Sequence, residues 1–196
     1  MYSCFEAAMI GHCAATLAGH KCGSLFSWRR DGEESVEQAV ERLNRALNGR
    51  GVRLRILKQC SPGGLVYVYR PEALQARLDD PEIQAFLAQY GYRDWNEAAC
   101  LERLECHIHC GESFPHEVGI FLDYPLEDVV GFIRHEGKGY CCLGCWKAYG
   151  HEEEAQKKFA LFQKCSRIYQ NCYNKGFDVA RLTVSSQNRG ALRFSA

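Results

Sequence analysis

The chain has 196 residues, of which 46% are hydrophobic and 12 are cysteines, and its 24 Lys+Arg are balanced by 24 Asp+Glu. Zero formal net charge argues against a general nucleic-acid binder, because neutralising phosphates takes surplus cations. No stretch approaches the ~20 apolar residues that span a bilayer, and the N-terminal segment, with Glu6 and no cationic start, does not read as an export signal. A cytoplasmic protein with reduced thiols is therefore expected, with no membrane and no nucleic-acid partner.

Residues 3–10 read as a short helix with Ser3 as N-cap. Residues 11–28 read as loop plus a short extended piece. Glu34 to Asn48 reads as a helix, because Val36, Val40, Leu43 and Leu47 recur at helical spacing, with Gly49 and Gly51 as stop signals. Residues 52–56 alternate strictly and predict a half-buried strand. Ser61-Pro62-Gly63-Gly64 is a turn, and Leu65 to Tyr69 is a more central strand. Three helices follow over 71–79, 81–90 and 94–109, the first two opened by Pro71 and Pro81.

Gly119 to Tyr124 reads as a buried strand, and Pro125 opens a helix with Leu126, Val129, Val130 and Ile133 on one face. Tyr140 to Tyr149 reads as a strand, Glu152 to Tyr173 as a long helix, and Val179 to Val184 as a last strand. The expected class is α/β or α+β. A single compact domain over residues 1–184, a mixed sheet of about five strands flanked by helices, is followed by a polar tail, 185–196.

Three segments carry a resemblance: His12-Cys13-Ala14-Ala15-Thr16-Leu17-Ala18-Gly19 with Lys21 and Ser24-Leu25-Phe26; FPHEVGIFLDYPLEDVVGFI at 114–133; and Gly144-Cys145-Trp146-Lys147-Ala148-Tyr149. Together they resemble the bacterial domain-of-unknown-function family 3793, common in Clostridia and other anaerobes. The likeness runs in order over nearly the whole chain. This chain has Ala15 where the family pattern usually has Pro, Asp123 where it has Gly, and Cys145 where it has an aromatic residue; His20 and Cys22 are also its own. The resemblance implies a cytosolic protein of an anaerobe and brings no assigned reaction. It separates Cys13 and Cys165, which match the pattern, from thiols that do not.

Two clusters suggest a metal. In Cys106-His107-Ile108-His109-Cys110, a continuing helix buries Leu101, Leu104 and Ile108 and turns Cys106 and Cys110 away, with His109 at the flank. In Cys141-Cys142-Leu143-Gly144-Cys145, a turn lets Cys142 and Cys145 chelate together, whereas a continuous strand faces them apart. A joint site of Cys106, His109, Cys110, Cys142 and Cys145 would hold zinc or iron. The plainer alternative is a set of exposed or half-buried thiols.

Phe114-Pro115-His116-Glu117-Val118-Gly119 is not HExxH, since position 120 is Ile. His116 suits proton transfer or ligation, or simply fixes a loop. Cys13 with His116 as base, oriented by Glu117 or Asp128, would make a thiol enzyme, a hydrolase or transferase; otherwise Cys13 is a core thiol. Lys21 and Lys147, with His116 and Tyr149, are candidates for an anionic ligand such as a phosphate or propionate; alternatively Lys147 is an edge-strand lysine. Cys165 and Cys172 read as core. No GxxxxGK[ST], GxGxxG after a strand or GxSxG is present. The expected function is binding of a small molecule or metal ion in metal, haem or redox homeostasis. The alternatives are the Cys13/His116 thiol enzyme and an interaction module without chemistry.

Overall fold

The computed structural model describes residues 4–30, 33–110 and 114–186. Ser3 and the tail beyond Ser186 lie outside them. The architecture is α+β. The five strands among the described residues form a three-stranded sheet and a two-stranded hairpin, both antiparallel, where the sequence suggested one mixed sheet. The chain divides into two compact units, one built from residues up to 73 and from 165 onward, the other from residues 74–164. Both divisions fall inside helices, so no Pro-, Gly- or Ser-rich linker marks them.

In the first unit, helix α1 (Cys4–Leu17) continues through residues expected to be loop. Phe5, Met9, Ile10, Cys13, Ala14 and Leu17 are all buried, a helical repeat that the off-face Gly11 and His12 disguise. Strand β1 (Gly23–Arg29) follows, then α2 (Val36–Leu47), β2 (Arg53–Cys60) and β3 (Gly63–Tyr69). The order is β1-β3-β2, with β3 central as its continuous apolar run requires. A capping box starts α2: Gln38 N donates to Ser35 Oγ at 3.3 Å and Ser35 N to Gln38 Oε1 at 2.8 Å.

A register shift between Ile56 and Lys58 changes which β2 residues point inward. Leu54 and Leu57 are the buried pair, and Ile56 is only partly covered. Phe5 sits edge-on to both Phe26 and Trp28, with centroids 5.3 Å away in each case. Arg70 is 3% exposed and donates to Thr16 O, Leu17 O and Val184 O, each at 2.7 Å. A cation there satisfies the carbonyls that the end of α1 leaves open. The segment 179–184 is not a strand. Arg181 N donates to Asp178 Oδ1 at 2.7 Å, and that cap opens a single helical turn, Val179–Leu182.

The second unit contains most of α3 (Pro71–Leu78), then α4 (Pro81–Ala88), α5 (Glu97–Cys110), α6 (Val118–Phe121), α7 (Leu126–Arg134), β4 (Cys142–Leu143), β5 (Lys147–Ala148) and the first half of α8 (Glu152–Asn174). The expected strand at 119–124 is instead the helical turn α6. All four of its residues are buried, and a short run buried all round has no period to tell strand from helix. Arg77 donates to the carbonyls of Ile120, at 2.8 Å, and Tyr124.

Asp123 takes φ 63, the left-handed conformation that glycine adopts without steric penalty. Aspartate tolerates it better than most residues, and its carboxylate lies 3.4 Å from Arg77 Nη1. The expected strand over 140–149 is two residues of β4 paired with two of β5, reversed through Gly144 to Trp146. A Cβ on Gly144 would stand 2.2 Å from the Phe159 ring, so only glycine fits that turn without displacement.

Candidate functional site

The site in the second unit is held by Asp128, in the first turn of α7 and 2% exposed. Its Oδ2 accepts from Trp146 Nε1 at 2.7 Å, and its Oδ1 accepts from Tyr149 N at 2.6 Å and Gly150 N at 3.3 Å. One carboxylate therefore fixes the β4–β5 hairpin and the strand exit. Trp146 stacks on Tyr124, with centroids 5.1 Å apart, and receives the Phe159 edge at 4.4 Å. Burial, with Cys145 nearby, raises the Tyr124 hydroxyl to about 12.

This frame encloses a cavity of about 150 Å³ with Tyr124, Phe132 and Trp146 as aromatic walls and His116 and Lys147 as polar contributors. His116 is exposed, its ring edge-on to Phe132 at 5.0 Å. Lys147 Nζ donates to Gly137 O at 2.8 Å and stands 5.1 Å from the Tyr140 ring centroid and 5.7 Å from that of Phe132. Gly137 O accepts one of three ammonium donors.

His116 also lines a second, wider cavity of about 410 Å³, together with Tyr90, His107, Cys110, Phe114 and Glu117. Here Glu117, 2% exposed, accepts a hydrogen bond of 2.5 Å from His107 Nδ1. Tyr92 presents its ring edge-on to His107 at 5.6 Å. Its hydroxyl is buried beside Glu117 outside good hydrogen-bond geometry, and burial first, then the Glu117 charge, raises its pKa. Tyr90 is shifted the same way by the same two causes.

A family model described as a protein of unknown function (DUF3793) matches residues 9–183. The chain belongs to this family. No curated protein and no solved structure matches it. Both cavities of this DUF3793 chain lie inside the matched span.

Of the residues singled out from the sequence, His116 and Lys147 share the smaller cavity, and Asp128 braces it. Glu117 sits on the wider cavity, bound to His107. Tyr149 is held by Asp128 through its backbone, and its ring stacks on His135 with centroids 5.7 Å apart. Its buried hydroxyl has no hydrogen-bond partner among the described residues. Lys21, partly buried, belongs to the first unit. Cys13 is fully buried in that unit's apolar core, and burial pushes its thiol far above the ordinary range. A neutral, enclosed thiol is a poor nucleophile, which stands against the Cys13 enzyme. Asp128 spends its oxygens on three N–H donors and orients no base.

The five proposed metal ligands do not assemble. Among the described residues no three His, Cys, Asp or Glu side chains are placed to hold one ion. Cys106 and Cys110 are exposed on α5 as its buried face of Leu101, Leu104 and Ile108 requires. His109 Nδ1 instead bonds Glu105 O within its own helix at 2.8 Å. Cys142 pairs with Ala148 in the hairpin, and Cys145 lies in the reversal, so the turn forms without gathering a third ligand. Two ligands leave a tetrahedral shell half empty. The residue missed in the sequence is His107. Its signal is its place beside Ile108 and three residues beyond Leu104, at the edge of the buried face.

Proposed function

We propose that this DUF3793 protein binds a small anion with a planar or apolar body in the cavity flanked by His116 and Lys147. The observation that carries the reading is that these two polar side chains share one aromatic-walled cavity whose geometry is fixed by the buried Asp128. The ammonium supplies point charge and two further donors, and the imidazole supplies a third. Tyr124, Phe132 and Trp146 supply flat apolar surface. At about 150 Å³ the space is well below the ~300 Å³ of ordinary small-molecule sites, so the occupant is small or extends past exposed His116. Redox homeostasis in a cytosol is the setting that suits a protein so rich in free thiols.

The test uses 8-anilinonaphthalene-1-sulfonate, an anionic aromatic probe, followed by fluorescence. Saturable binding that weakens about tenfold in Lys147→Met, equivalent to ~1.4 kcal/mol, and also weakens in His116→Ala supports the reading. Equal affinity in the wild type and both variants removes it.

A further inference from the structure

We propose that the His116–Lys147 cavity and the wider cavity beside it are two halves of one site for an elongated amphipathic anion, its charged head at Lys147 and its uncharged hydrocarbon body in the wider half. The inference rests on the reading of the His116–Lys147 cavity as an anion site and says where the rest of that anion lies.

The two cavities meet along one seam. His116 lines both. On one side of the seam the chain continues as Glu117, which lines the wider cavity, and Val118, which lines the smaller. On the other side α7 gives Phe132 to the smaller cavity and Ile133, about 100° further round the helix, to the wider. The His116 ring stands edge-on to Phe132 at 5.0 Å, and the residue is exposed. Exposed side chains exchange rotamers within nanoseconds, so this partition moves without a change of backbone.

Size points the same way. The smaller cavity, at about 150 Å³, is roughly half of what ordinary small-molecule sites offer at their lower end, ~300 Å³. Joined to its neighbour of about 410 Å³, it falls inside their ~300–1,000 Å³ range.

Charge sets the orientation. Lys147 brings its ammonium to the smaller half, with one donor on Gly137 O and two further ones. Asp128 also borders that half, but its oxygens face three N–H donors. The wider half has the Glu117 carboxylate and, among its described lining residues, no lysine or arginine. An anionic head is drawn to Lys147 and repelled from Glu117. Tyr90, Phe114, Pro115 and Ile133 wall the wider half, and Phe114 stands 47% exposed. A hydrocarbon body laid there takes apolar surface out of water. It strands no polar group on Glu117, because His107 already bonds that carboxylate at 2.5 Å.

The test titrates the full chain with butanoate, hexanoate, octanoate and decanoate, all below their micelle thresholds, with affinity read by calorimetry and histidine ring signals by NMR. The expected result is a Kd that falls about fourfold per added methylene, as burial of each CH₂ at ~0.8 kcal/mol requires. Lys147→Met should weaken butanoate and octanoate by the same factor, since they share the head. Phe114→Asp, a change at an exposed residue, should flatten the gain per methylene. The His107 ring signals, assigned from the His107→Asn spectrum, should move with octanoate and stay in place with butanoate. Butanoate held through Lys147 with no gain on lengthening overturns the joined site and leaves the anion cavity standing. A gain on lengthening that neither moves His107 nor responds to Phe114→Asp puts the body elsewhere and also overturns it. Absence of Lys147-dependent binding at every length removes both readings.

Discussion

Glu117 and His107, ten residues apart, meet at 2.5 Å, with the carboxylate side chain 3% exposed and the imidazole 22% exposed. Removing the imidazole strands a carboxylate away from water. Loss of one partner of a buried pair typically costs about 3–5 kcal/mol, and the partial exposure of His107 reduces this. His107→Ala should therefore lower stability by ~2–3 kcal/mol, and Glu117→Leu added to it should restore a large part. Urea unfolding of the two variants checks this. A double variant no more stable than His107→Ala would show that the pair is not what the substitution breaks.

Asp128 accepts from Trp146 Nε1, Tyr149 N and Gly150 N. Asn keeps one acceptor oxygen and turns an NH₂ toward a donor. Asp128→Asn should destabilise the protein by about 2–3 kcal/mol, from one charge-assisted bond lost and one donor left unpaired. Trp146 should then show a red-shifted emission as its ring loses its anchor. The measurement is thermal unfolding alongside tryptophan fluorescence. Unchanged values for both would mean that the hairpin is held by its aromatic packing alone.

The fold was legible where period and punctuation agreed. In α2, Val36, Val40, Leu43 and Leu47 carry the helical repeat, and Gly49 and Gly51 mark where it stops. The β2–β3 hairpin followed from alternation on one side and Pro62-Gly63-Gly64 on the other. The reading failed where burial is all-round or elements are one turn long. In α6, Val118 to Phe121 are all enclosed and offer no alternation to count. At 179–182 the cap at Asp178 was the single sign of helix. His116 and Lys147 were visible as polar residues flanked by aromatic and apolar ones. His107 was not, because its meaning lies in Glu117, ten residues further on, and no local pattern ties the two together.

Alkaline stability follows from buried phenols and a buried thiol. Burial raises Tyr124 to about 12, Tyr169 to about 12 and Cys100 to about 11, from ordinary values of 10.0 and 9.0. The folded state favours the neutral form, so this stability is fully present below the ordinary values and is lost as pH rises through the raised ones. The window runs from pH 9 to 11 for Cys100 and from 10 to 12 for the tyrosines. Absorbance of tyrosinate with pH should show a late group titrating together with loss of structure. Titration of every tyrosine near pH 10 in the folded protein would contradict it.

The central claim is that an anion with an apolar body occupies the cavity beside His116. The most direct measurement is an NMR titration of histidine ring signals with 8-anilinonaphthalene-1-sulfonate, with His116 assigned from the His116→Ala spectrum. The His116 signals should shift and saturate at the affinity seen by fluorescence, and Lys147→Met should weaken both together. His116 signals that stay in place while the probe saturates elsewhere would contradict the account.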